Sequence, residues 1–340
     1  MTSLANRFFT VQTDPERGTF SVLPSGAGFP RVENARMLVH YRTFDRKTQA
    51  PVRAWSETDL QADAIAGIGP IRVLAAQTEA DANGLSCRIE FALSDDCPLF
   101  FWRLSLVNNG ELPVTVDRLE LLRTGGQAQE GRLVFAGSSS DNLGFYANGW
   151  QSWSLSGAFG NRQALPHTRL GLLQSPMVDL PGTPALQQPG YFGSDLYGIV
   201  VDRGRRTALL AGFLSQREHF GSLEAVLFDR PSLRLWANGD GVLLEGGQAV
   251  QTDWAILFPF EIDRPDAITP YLDAVARHHG IRPTRSVPTG WCSWYYYYTK
   301  VTARAIDANM KQVVALSPRL PLDLIQIDDG FETHPGDWLS

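Results

Sequence analysis

Thr289-Gly-Trp-Cys-Ser-Trp-Tyr-Tyr-Tyr-Tyr298 and, further on, Leu324-Ile-Gln-Ile-Asp-Asp-Gly330 define the C-terminal part of the chain. The segment 322–327 is short and mostly apolar, and it stops at Asp328, Asp329 and Gly330. An apolar run of that length between Pro321 and Gly330 predicts a buried parallel strand. Between the two stretches Ile306, Met310 and Val313 recur at helical spacing, with Thr302 placed to cap the helix and Ser317-Pro318 to end it. Strand, helix, strand is a βαβ unit. In α/β folds ligands gather at the carboxyl ends of such strands, where this sequence puts its aromatics and acids.

Upstream, Thr269-Pro270 reads as an N-cap followed by proline at the first helical position. Tyr271, Leu272, Val275 and Ala276 form its stripe and Gly280 its C-terminal stop. The segment 281–288 carries two prolines and reads as a connector. Before residue 262 the period is two: Trp102, Leu104 and Leu106 share one face and Arg103 and Ser105 the other. Val114 and Val116 alternate with Thr115 and Asp117 after the turn-like Asn108-Asn109-Gly110. Further strands are expected at 86–93, 207–214, 223–228, 233–236 and 254–258, with Asn238-Gly239-Asp240-Gly241 as a separating turn. The predicted organisation is an antiparallel β-supersandwich over 1–262, a linking helix and connector over 263–288, and the first strands of an incomplete (β/α)8 barrel over 289–340.

With 340 residues, 44% hydrophobic and 19% charged, the chain has a globular composition and room for two domains. A formal net charge of −6 without a basic stripe argues against nucleic acid and anionic membranes as partners. Cys87, Cys97 and Cys292 are odd in number and lack metal-ligand spacing. They read as reduced thiols, and with no signal-like start the expected location is cytoplasmic. His278-His279 has no suitably spaced acidic or cysteine partner, so neither metal nor cofactor is expected. A homo-oligomer is compatible with all of this.

Asp328-Asp329 reads either as a solvated strand-to-loop turn or as two carboxylates that accept hydrogen bonds from sugar hydroxyls. Gln326 within the strand favours the second reading, because a buried amide needs a partner. The run Trp291-Cys-Ser-Trp-Tyr295 reads as core packing or as faces that stack on a pyranose. Four consecutive tyrosines cannot all point inward. Cys292 reads as a small buried residue rather than a nucleophile. Asn148-Gly-Trp-Gln-Ser-Trp153 is either a loop with two packed tryptophans or a loop reaching toward a ligand.

At Gly149-Trp-Gln-Ser-Trp153, Gly290-Trp-Cys-Ser-Trp-Tyr295 and Ile325-Gln-Ile-Asp-Asp-Gly330, followed by Gly336-Asp-Trp-Leu339, the chain resembles glycoside hydrolase family 36. That is the family of α-galactosidases, or melibiases, and the likeness is to its N-terminal portion. It implies a retaining glycosidase that removes terminal α-linked galactose from oligosaccharides such as melibiose or raffinose. Asp328 and Asp329 would hold galactose O4 and O6, and Tyr295 would line the same subsite beside Trp294. Trp153 or Trp150 would reach in from the sandwich, Trp153 being preferred. The family's nucleophile and acid/base are aspartates on later barrel strands, expected beyond Ser340, so this chain alone is expected to be inactive. The alternatives are a non-catalytic carbohydrate-binding β-sandwich module, a raffinose-synthase-like galactosyl transferase, and an N-acetylgalactosaminide hydrolase.

Overall fold

The computed structural model describes residues 3–44, 46–125, 131–166, 183, 187–228, 230–282, 286–334 and 337. It contains two compact units, residues 1–281 and 282–340. Gly336, Trp338 and Leu339 of the last motif lie outside the described residues, as does part of the connector.

The first unit is built on two antiparallel sheets, of ten and eleven strands among the described residues. Strand Phe100–Asn108 shows why the chain folds this way. Its even-numbered residues Phe100, Trp102 and Leu104 are fully buried between the sheets with Phe20, Phe91 and Leu119. Phe100 stacks on Trp102 at 5.0 Å, and the Trp102 indole donates to Leu121 O at 3.0 Å, tying one sheet to the other. Each such side chain contributes about 1.5–3 kcal/mol over leaving it exposed.

The odd-numbered residues of the same strand divide. Phe101 joins a second apolar cluster with Leu210, Ile256 and Phe258, on the other side of the eleven-stranded sheet. Arg103 lies over the Trp254 ring at 4.2 Å and pairs with Glu90, so the polar side read from the sequence is real beyond Phe101.

Helix α1 (Thr269–His278) covers the Phe101 end. Tyr271 and Ala274 are buried in the second cluster, and the Tyr271 hydroxyl donates to Phe213 O at 3.0 Å. The helix therefore packs as part of the first unit, which runs to residue 281. Leu272, expected on the buried stripe, is 46% exposed; the contact face is centred on Tyr271 and Ala274 instead. Thr269 is the first helical residue, with Ile268 as N-cap. The other end closes as expected: Gly280 takes φ +64°, Ile281 N–H donates to Ala276 O and Gly280 N–H to Arg277 O, the paired bonds of a Schellman stop.

Strand Ser232–Leu244 runs straight through Asn238-Gly-Asp-Gly241, which the sequence reading made a turn. Asp240 and Gly241 take positive φ there, and the ladder to Val114–Arg123 slips at that point. The turn residues make a bulge inside a long strand.

In the second unit Gly290–Cys292 and Leu324–Gln326 pair in parallel, with Gly290 opposite Leu324 and Cys292 opposite Gln326. Helix α2 (Trp294–Tyr297) follows the first of these strands. Helix α3 (Ala303–Leu316) makes the crossover, and the Thr302 hydroxyl accepts from Ala305 N–H at 3.2 Å. The βαβ unit is present, but the expectation of buried strands is corrected. Leu324 is 41% and Ile327 45% exposed, and α3 buries no residue. One crossover helix covers too little of a two-stranded pair to bury both faces.

Candidate functional site

Parallel pairing brings the carboxyl ends of both strands to the same edge of the second unit. Ser293-Trp294-Tyr295 leaves one end and Ile327-Asp328-Asp329 the other. Ser293 is the hub of this edge and is fully buried. Its N–H donates to Gln326 O at 3.1 Å, its carbonyl accepts from Tyr297 N–H at 3.0 Å, and its hydroxyl accepts from Asp328 N–H at 2.9 Å.

The half-buried Asp328 carboxylate is fixed in place. Oδ2 accepts from the Gln326 amide at 2.9 Å and from the Cys292 thiol at 3.4 Å, while Oδ1 accepts from Asp329 N–H at 2.9 Å. The Asp329 carboxylate, also half-buried, has no hydrogen-bond or ion-pair partner among the described residues. After the pair, Gly330 takes φ +102°, and a side chain there would collide with the Thr299 backbone at 2.5 Å. The turn that ends the acidic pair thus requires glycine.

The aromatic run divides as its length demands. The Tyr297 hydroxyl accepts from Asn309 Nδ2 at 2.8 Å, anchoring α2 to α3. Tyr295 is 84% exposed, and Tyr296 and Tyr298 are exposed too. Trp294 is half-buried and meets Tyr298 edge-on at 5.3 Å. An oriented carboxylate, an unpartnered one and exposed aromatic rings together offer hydrogen-bond acceptors and stacking faces to a polyhydroxylated ligand.

The residue types were read from sequence, but two supporting parts were not. Ser293 carried a usable signal, since a serine immediately before a helix is an N-cap type. Cys292, taken for a packed small residue, donates to Asp328. Gln326 is exposed rather than buried, and its amide nonetheless finds the carboxylate.

Trp150 and Trp153 belong to the first unit. They sit in the loop joining Leu143–Ala147 to Gly157–Gly160, an antiparallel hairpin. Trp150 packs edge-on against Phe220 at 6.2 Å, and its buried indole N–H has no partner among the described residues. Trp153 is 49% exposed, with its backbone N–H donated to Gln151 Oε1. Among the described residues no helix is long and apolar enough to cross a membrane.

The fold thus defined is a large antiparallel β-sandwich followed by a parallel βαβ unit with acids at its strand ends. No family model matches the sequence. Solved structures similar to this chain include α-galactosidases. The enzyme from Lactobacillus brevis is 10% identical, with a TM-score of 0.54 over 98% of this chain and 49% of its own. The galactosidase domain of the α-galactosidase–sucrose kinase AgaSK is 11% identical, with a TM-score of 0.54 over 96% and 50%. The glycoside hydrolase family 36 enzyme AgaA from Geobacillus stearothermophilus is 9% identical, with a TM-score of 0.52 over 97% and 50%. The present chain therefore spans about half the length of each. At this identity the likeness is one of fold.

Proposed function

We propose that this chain carries the galactose-binding part of a retaining α-galactosidase that removes terminal α-linked galactose from oligosaccharides such as melibiose or raffinose. The observation that carries the reading is the unpartnered Asp329 carboxylate beside the fixed carboxylate of Asp328, at paired parallel strand ends. A carboxylate held rigidly where an axial O4 would fall discriminates galactose from glucose, because a site built to hydrogen-bond a hydroxyl strongly rejects an analogue that misplaces it. Tyr295 and Trp294 would supply the stacking faces. In the sandwich, Trp153 is exposed and Trp150 is packed against Phe220.

On this reading the βαβ unit is the start of a (β/α)8 barrel. Retaining hydrolysis uses two carboxyl groups roughly 5–5.5 Å apart, one as nucleophile and one as acid/base. Neither Asp328 nor Asp329 is assigned to those roles, since the family resemblance gives both to the sugar hydroxyls. Residues 1–340 alone are accordingly proposed to bind galactose without turning over galactosides.

Calorimetric titration with galactose and with glucose tests the binding, and release of nitrophenol from 4-nitrophenyl α-galactoside tests the chemistry. Galactose should bind in preference to glucose, Asp329→Asn should abolish that binding, and no nitrophenol should appear. Equal binding by wild type and Asp329→Asn would remove the carboxylate pair from recognition, and turnover by the pure chain would overturn its inactivity.

A further inference from the structure

Strand Val114–Arg123 lies inside the ten-stranded sheet, between Arg31–Thr43 and Ser232–Leu244. Its ladders to both neighbours slip twice, between Val116 and Arg118 and again beyond Glu120. Bulges re-aim side chains and recur beside functional sites. Here they bracket Arg118 and Glu120. Leu119 and Leu121 enter the core between the sheets, so Arg118 and Glu120 turn to the opposite side.

On that side Glu120 is fully buried and saturated. It accepts from His40 Nε2 at 2.9 Å, from Arg123 at 2.8 and 2.6 Å, and from Arg234 Nε at 2.9 Å. Arg234 also donates to Glu224 at 3.3 Å. Two carboxylates thereby occupy Arg123 and Arg234, and Arg118 is left over. Its guanidinium lies 5.3 Å from the centre of the buried Trp236 ring. Among the described residues it has no hydrogen-bond or ion-pair partner. Burial pulls its pKa down, as do the positive charges of Arg234 and Arg123, against the pull of Glu120 and Glu224. Three guanidinium groups thus face two carboxylates, in a chain whose formal net charge is −6. A half-buried guanidinium without a hydrogen-bonded or ion-paired partner is unfavourable, and a ligand that supplies one is held.

We propose that Arg118 anchors an oxyanion-binding site on the sandwich, taking the carboxylate or phosphate group of a small molecule through its guanidinium fork, with the Trp236 ring fixing the plane of that fork. The site uses none of the residues assigned to galactose and stands or falls apart from that assignment.

The test titrates the full chain separately with sodium phosphate and sodium acetate at constant ionic strength, made up with sodium chloride, and follows Tm and heat of binding. Wild type should show saturable binding of at least one of the two and a Tm rise that chloride does not give. Phosphate alone, or acetate alone, would identify which oxyanion the site prefers. Arg118→Lys keeps the charge but loses the fork, and should weaken binding about tenfold or more; Arg118→Gln should abolish it. Should the glutamine variant fail to fold, the lysine variant decides. The proposal is overturned if neither anion acts beyond chloride, or if Arg118→Lys binds as tightly as wild type.

Discussion

The Gln326 side-chain amide donates to Asp328 Oδ2 at 2.9 Å, so an exposed residue holds a carboxylate in one rotamer. Gln326→Leu removes that donor and leaves Asp328 with the Cys292 thiol and Asp329 N–H. Galactose affinity should fall about fivefold to tenfold, the value of about one net hydrogen bond, or ~1 kcal/mol. Stability should change little, because the site is at the surface. Calorimetry beside a urea melt separates the two effects, and undiminished affinity would show that Asp328 needs no such support.

Glu120 governs the acid stability of the sandwich. Burial alone would raise its pKa, but the hydrogen bonds from His40, Arg123 and Arg234 outweigh it and hold the carboxyl well below the usual carboxylate range. The unfolded chain, with Glu near ~4.3, binds this proton at higher pH than the folded one does. The stabilisation is therefore present above ~4.3 and lost as pH falls further toward the folded value. Glu120→Gln should cost about 3–5 kcal/mol near neutrality, because it strands buried charge. Its deficit against wild type should shrink in acid. Urea midpoints across the acid range check this, and a deficit that stays constant with pH would disprove it.

The three thiols should react in a fixed order. Burial, with the nearby Asp81 charge, pushes the Cys87 thiol up to about 12, and burial also raises Cys97. Cys292 is less buried, at the strand end. Because the thiolate is the nucleophile, iodoacetamide at pH ~8 should label native protein at Cys292 and reach the other two only in denaturant. Peptide mass spectrometry reads the order directly, and early labelling of Cys87 would contradict it.

Tyr298 has φ 50° and ψ −132°, a backbone region that side chains avoid. Glycine adopts it freely, so the usual ranking of small residues should invert here. Both Tyr298→Gly and Tyr298→Ala lose the edge contact with Trp294, but only alanine keeps the strain. Tyr298→Gly should be the more stable of the two by about 1 kcal/mol, measured by denaturant melts.

Much of this was legible in the residues. Period-two alternation located strands such as Val114–Arg123, and Thr302 and Gly280 marked helix ends because caps are local chemistry. What sequence hid was tertiary. Asn238-Gly-Asp-Gly241 has turn composition, yet the ladder to Val114–Arg123 resumes past it, with Asn238 opposite Arg118 and Val242 opposite Val116, and so turns a break into a bulge. Helix α1 reads as a linker until the eleven-stranded sheet shows a second apolar side that needs covering. Among the acids, the pair itself was readable, but the difference between them was not. It arises from Ser293, Cys292 and Gln326 converging on Asp328 and leaving Asp329 free.

The strand Phe100–Asn108 is flanked on one side by Leu85–Leu93 and on the other by Ala255–Glu261. The first neighbour is already made when this strand leaves the ribosome, whereas the second lies about 150 residues further on. At about 5–20 residues per second that interval lasts roughly 8–30 s. Throughout it, an aromatic-rich strand has an unpaired edge and one side still waiting for helix α1. Long-range closure of this sort is slow and exposed to misassembly. Biosynthesis of this protein thus includes a window in which Phe101 is exposed apolar surface before it is core.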